Sequence, residues 1–339
     1  MMRIGIVVVA VACAWGARAV EVSTVPEGKV CALSFTYDDG PVTHYTHAFP
    51  LHKKYGFPGT FLIITSRVED DADANRPHKN VSWRELKEMS DAGMEIASHT
   101  KSHKNMREIE SAGLTPEMTK GKKRAELFAL REPNWPTLLA EVMDAKKALE
   151  DCTGKPVRTT AFAGNACPDW SARLCAEAKT CIRAGNIRLA TGRGDSAERY
   201  AKVLDEKIVR TNQVSCVMIH GLGTQTAGDG WNPPASVAVI ESLFKLVAER
   251  RDKIHLGTYA DNNAYESFAR NVTLKKDAKT GETRLVYVGK GTPSSDAVWL
   301  RVAPGETVSV NGKAVRPNAS GGLLARVGDE IASSQVKTL

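Results

Sequence analysis

Three short stretches of this sequence place carboxylates and imidazoles where they could act together. In the first, Val30-Cys-Ala-Leu-Ser-Phe-Thr-Tyr-Asp38-Asp39-Gly40-Pro41, an apolar run ends in two adjacent acids and a turn. Neighbouring carboxylates repel, so at least one needs a cation, and the pair can divide the work between metal ligand and general base. The same residues also suit a plain Asp-Gly turn at a strand end. The second stretch is Met94-Glu-Ile-Ala-Ser-His99-Thr-Lys-Ser-His103. Its imidazoles stand four residues apart, one helical turn, which lets both rings ligate one metal. The alternative is a pair of surface histidines at a capped helix start. The zinc-protease pattern does not apply, because Thr100 stands where its glutamate would be. The third stretch, Val214-Ser-Cys-Val-Met-Ile-His220, ends another apolar run in a histidine.

These groups need a scaffold that brings three strand ends together. Apolar runs rich in β-branched residues predict strands over 30–37, 60–64, 94–98, 158–162, 187–190, 214–219 and 254–258. Helical periodicity appears between them, over 83–92, 135–152 and 236–252. Such alternation implies parallel strands with helical crossovers, in an open doubly wound sheet or a barrel. In both, catalytic groups gather at the carboxyl ends of strands. In the first strand Ala32, Ser34, Thr36 and Asp38 share one face, and Cys31, Leu33, Phe35 and Tyr37 the other. Cys216 and Met218 share the face of His220, so Cys31 and Cys216 point into different layers and should not pair. The charged, broken segment 106–136, with its basic run at 120–124, reads as a helical insertion or a long loop. After residue 270 the pattern changes to short strands over 272–276, 284–288, 297–302 and 307–310. Asn311-Gly312 then marks a two-residue hairpin. Residues 271–339 are therefore expected to form a small all-β module. With Trp299 and Tyr287 as its stacking candidates, the module reads as a cap rather than a glycan-binding unit.

The chain has 339 residues, with 46 Lys+Arg against 39 Asp+Glu, a net charge of +7. A hydrophobic share of 42% excludes a disordered chain, a coiled coil and a disulfide-dense miniprotein. The scattered positive charge lacks the interleaved aromatics of a nucleic-acid groove, so nucleic acid is not an expected partner. Residues 1–19 read as a signal peptide: a basic start, an apolar run, and the small-x-small ending Ala17-Arg18-Ala19. Export to a periplasm, a cell surface or the medium follows, with no membrane span after cleavage. Cys31 and Cys216 read as buried thiols. Cys152, Cys167, Cys175 and Cys181 cluster in a loop-rich region where one or two bridges are expected.

Taken together, Thr-Tyr-Asp38-Asp39-Gly, Ser-His99-x-x-x-His103 and Ile-His220 resemble the polysaccharide deacetylase (NodB-homology) family of carbohydrate esterases. The segment Gly-Asp-Gly-Trp231-Asn-Pro is similar to a family variant. The resemblance covers about residues 29–265 and places the domain at 20–270. It implies a distorted (β/α) barrel of about seven parallel strands, with Asp39, His99 and His103 holding a divalent metal, usually zinc. It also implies Asp38 as general base, His220 as general acid and the Gly164 N–H as oxyanion donor. The implied activity is metal-dependent removal of N-acetyl groups from an amino-sugar polysaccharide. O-acetyl esterase activity and a weakly catalytic glycan-binding role are the alternatives. One motif departs from the family. Its Arg-x-Pro-Tyr-Gly aligns with Ala161-Phe162-Ala163-Gly164-Asn165, which lacks the arginine that orients the base. Trp170 matches the family's fourth motif by type alone, and packing is its expected role. No Gly-x-Ser-x-Gly occurs, which disfavours a serine hydrolase.

Overall fold

The computed structural model describes residues 20–70, 79–211, 213–223 and 234–333. The expected signal peptide and the Trp231 segment lie outside the described residues. The described residues form two compact units, one within 24–267 and a second made of residues 20–23 together with 268–333.

The larger unit is built on a parallel sheet. Its strands are β1 (Cys31–Tyr37), β2 (Gly59–Ile63), β3 (Glu95–Ser98), β4 (Thr159–Thr160), β5 (Cys181–Ile182), β6 (Ile187–Ala190), β7 (Val214–Ile219) and β8 (Ile254–Leu256). Seven of them follow the order β5-β4-β3-β2-β1-β7-β6, and β8 also pairs with β1. One side of β1 runs fully along β7, from Ala32 opposite Val214 to Tyr37 opposite Ile219. Its other side is divided. Cys31–Leu33 pair with β8, and Phe35–Tyr37 pair with β2. The sheet's two edge strands are joined by residues 183–186 alone. Its edges lie no farther apart than that link can reach, so the sheet must curl. The expected α/β class and distorted barrel of about seven parallel strands are therefore observed, as a curled half-barrel. The two-residue β5 has no periodicity of its own, which is why the sequence pattern does not reveal it.

Alternation along β1 sorts its side chains as expected. Cys31, Leu33, Phe35 and Tyr37 all enter the large core cluster beneath the helices. There Phe35 stacks on Phe244 at 4.5 Å, and Tyr37 stacks on Phe61 at 4.6 Å. His52 is fully buried among these rings and fully satisfied. Its Nδ1–H donates to the Phe57 carbonyl at 2.9 Å, so Nε2 accepts from the Tyr37 hydroxyl at 2.8 Å. The surrounding helices have sequence causes. Trp83–Asp91 starts at a capping box between Ser82 and Glu85. Val237–Ala248 buries Ile240, Leu243, Phe244 and Val247, one helical stripe, behind its Ser236 cap. The 106–136 segment contains the short helices Met106–Glu110, Pro116–Thr119 and Arg124–Arg131. No helix among the described residues is long and apolar enough to cross a membrane.

In the second unit Val20–Val22 pairs with Ala297–Val302, which pairs in turn with Gly322–Arg326. Val272–Lys276 and Thr283–Tyr287 form a hairpin. Val308–Val310 lies between Lys313–Val315 and Ile331–Ser333. The Asn311-Gly312 turn has φ of 50° and 75°, the left-handed pair a tight hairpin needs.

The six described cysteines are free thiols, so the bridges expected among Cys152, Cys167, Cys175 and Cys181 are not formed. Two of the four are engaged elsewhere, the Cys152 thiol donating to the Trp83 carbonyl at 3.2 Å and Cys181 lying 3.5 Å from the Thr159 hydroxyl.

Candidate active site

Asp38 and Asp39 follow directly on β1, His99 on β3 and His220 on β7. Because these strands are parallel, their carboxyl ends face the same way. The four residues open on one end of the half-barrel, where Asp38, His99, His103, Gly164, Met218 and His220 line a cleft of about 470 Å³.

Asp39, His99 and His103 each offer one ligand atom, and these atoms lie within 4.8 Å of one another. Asp39 Oδ1 is 3.5 Å from Nε2 of both histidines. The His99 ring is oriented from behind. Its Nδ1 lies 3.0 Å from the Ala161 carbonyl, which can only accept, so Nδ1 carries the proton and Nε2 keeps its lone pair. Burial pushes His99 down to about 4, so the ring is neutral at pH 7. One carboxylate and two imidazoles whose ligand atoms lie this close fit a divalent transition metal.

The His99–His103 spacing does not work through a helical turn, as the sequence suggested. The intervening chain is a bent loop with Thr100 at φ 65° and His103 at φ 58°. Non-glycine residues rarely occupy this region, and a neighbour must hold them there. Glu141, on the helix Trp135–Thr153, does so. Its carboxylate accepts from the Ser102 N–H at 2.9 Å and hydroxyl at 2.7 Å, while its carbonyl accepts from the Lys101 N–H at 2.9 Å. Asp39, at φ 81°, is a third site residue in this region.

Two imidazoles and a carboxylate close enough to share one metal ion, with a second buried carboxylate next in sequence, sit in a curled α/β half-barrel. Residues 26–181 match the family model described as polysaccharide deacetylase. Over these residues the domain is similar to the polysaccharide deacetylase family. The protein YxkH of Bacillus subtilis (strain 168), which carries a polysaccharide deacetylase name, is 35% identical over 88 residues, 26% of each chain. The match thus spans about a quarter of that relative's length. Solved structures to which the chain shows a likeness include a mutant of the Bacillus subtilis peptidoglycan deacetylase PdaC. It is 14% identical, with 72% of this chain and 94% of that one covered and a TM-score of 0.46. A family 4 acetyl xylan esterase from Clostridium thermocellum, in complex with a cobalt ion, is also 14% identical; the shares are 68% and 89%, and the TM-score is 0.45.

In this domain the third-motif position holds a 3-10 turn at Ala163–Asn165, with Gly164 at φ 58° on the cleft wall. Arg158, the nearest arginine upstream in sequence, is turned away and pairs with Asp261 at 2.8 Å. The missing cation comes from elsewhere. Arg183, in the link between the edge strands β5 and β6, is 1% exposed and its guanidinium bonds Asp38 Oδ2. Burial alone would raise the Asp38 carboxyl; Arg183, with His99 and His220, overcomes it and holds the carboxyl below its ordinary range. Asp38 Oδ1 has no hydrogen-bond partner among the described residues. The acid is thus anchored by one oxygen and open at the other. Nothing in the sequence singles out Arg183, one of 46 basic residues, because only the curl of the sheet carries it to Asp38.

The segment after the acids was also silent in the sequence. His44 Nε2–H donates to the His220 carbonyl at 2.6 Å, and the Thr43 hydroxyl accepts from the Leu222 N–H at 3.2 Å. Together they hold the backbone at His220 and just after it. Trp170 packs edge-on against Trp135 at 5.4 Å in a separate core cluster, the packing role expected of it.

Proposed function

We propose that the domain is a metal-dependent hydrolase that removes N-acetyl groups from an amino-sugar polysaccharide. The observation that supports this is the pairing, in one cleft, of the Asp39/His99/His103 ligand set with a separate buried carboxylate, Asp38, and with His220. Asp39, His99 and His103 would hold the metal; zinc suits this donor set. When bound, such a metal lowers the pKa of water and polarises an acyl oxygen. Asp38 is the general base. Arg183 keeps it ionised and fixes Oδ2, which leaves Oδ1 to take the proton from the attacking water. His220, held through its own backbone by His44 and Thr43, donates a proton to the departing amine. The N–H of Gly164, on the cleft wall, is the donor to the developing oxyanion. That role needs no side chain, so the loss of the family's Pro-Tyr pair does not remove it. Export of the mature protein, which rests on residues 1–19, is part of the same proposal.

The test is acetate release from chitooligosaccharides, peptidoglycan and acetylated xylan, with and without a chelator. Chelator-sensitive release that is lost in Asp38→Asn supports the reading, and a preference for xylan would move it to the ester. Release that persists in Asp38→Asn would refute the base assignment.

A further inference from the structure

Asn165 lies in the cleft wall next to Gly164, is exposed, and stands at φ 55°. Its backbone is fixed on both sides: its N–H donates to the Phe162 carbonyl at 3.0 Å, and its carbonyl accepts from the Cys167 N–H at 2.9 Å. Its side-chain Oδ1 accepts from Arg183 Nη1 at 3.2 Å. A guanidinium has donors only, so the amide cannot be turned the other way: oxygen faces Arg183, and the NH2 group is carried to the opposite side. Arg183 is itself held by Asp38, so one buried cation sets both the charge of the base and the direction of this amide.

The rest of the lining explains why that direction matters. Of the other lining residues, His99 and His103 belong to the candidate ligand set and His220 is the proposed acid, while Ala163, Gly164, Ala166 and Met218 have no side-chain donor and ionised Asp38 only accepts. Asn105 is engaged elsewhere, since Oδ1 accepts from the Arg107 N–H at 3.0 Å and Nδ2 donates to Glu108 at 3.0 Å. An acetylated sugar carries hydroxyl, ring and acyl oxygens, all of which can accept a hydrogen bond at such a wall. We infer that Asn165 is a substrate-binding residue whose side-chain N–H, directed by Arg183, donates to an acceptor oxygen of the bound acetylated sugar. The inference rests on the reading of the site as a carbohydrate deacetylase and assigns it a side-chain contact.

The test compares the zinc-loaded full chain with Asn165→Asp, which keeps the shape and tolerates positive φ, and with Asn165→Gly, which keeps the turn. Chitotetraose is the substrate, and zinc content and Tm are measured alongside kcat and KM. Loss of one neutral hydrogen bond should lower kcat/KM roughly 5- to 10-fold in both variants, with zinc content and Tm unchanged. A kcat/KM within twofold of wild type in either variant would overturn the inference. So would a loss that tracks loss of zinc, since that marks a structural role. If the wild type releases no acetate, the catalytic reading fails, and calorimetric titration with chitotetraose decides on its own. Tighter binding by wild type than by both variants supports the contact; equal or absent binding overturns it.

Discussion

Replacing Arg183 with Met keeps much of the side-chain volume and removes the charge, so it isolates the ion pair with Asp38. Both partners are sealed, at 1% and 3% exposure, so solvent cannot take over the role of the guanidinium. At a contact distance of about 3 Å and an effective dielectric of about 20, the attraction is roughly 5 kcal/mol. Removing one member of a buried pair typically costs about 3–5 kcal/mol, because the other charge is left without compensation. The sign with pH follows from the same contacts. Asp38 titrates below its ordinary range in the folded chain, so its contribution is present at neutral pH and is lost as pH falls through that lowered pKa. Without Arg183, burial dominates and drives the carboxyl upward. Urea unfolding at pH 7, in chelator so that metal does not contribute, should therefore show Arg183→Met less stable by about 3–5 kcal/mol. Adding Asp38→Asn removes the stranded charge, and the double variant should recover part of the loss. Deacetylation by the single variant should fall at least about 100-fold, since a protonated Asp38 cannot act as base. A single variant within about 1 kcal/mol of wild type, or a double variant no more stable than the single, would refute the reasoning.

Two further outcomes are expected. His99→Ala should abolish zinc retention in dialysed protein measured by elemental analysis, and His103→Ala should weaken it by at least about 10-fold; zinc retained at wild-type affinity in either would remove that residue from the ligand set. The Cys31 and Cys216 thiols, pushed up to about 12 by burial, should stay unmodified by iodoacetamide at pH 8 until denaturant is added, and labelling of either in the native protein would contradict the packing of β1 and β7.

Much of the site was legible in the linear sequence. Asp38, Asp39, His99 and His220 each end an apolar run, and parallel strands bring such ends to one side of a sheet whatever the crossovers contain. Strand alternation likewise told which face of β1 enters the core, because its period is fixed by backbone geometry. The Asn311-Gly312 hairpin depended on two residues tolerant of positive φ, and formed where they stand.

What depended on tertiary structure has no local pattern to carry it. His103 reaches Asp39 through a loop held by Glu141, a residue 38 positions further along, so the four-residue spacing suggested a turn that was not the one used. The bridges expected among four cysteines failed because pairing depends on where side chains point, which their proximity in sequence does not determine. Above all, the cation that the third motif lacks is supplied by Arg183 from the link between the sheet's two edges. Residue type and spacing specify chemistry that is local to one strand end. Whether a distant arginine compensates a buried acid is decided by how far the sheet curls, and only the assembled barrel sets that distance.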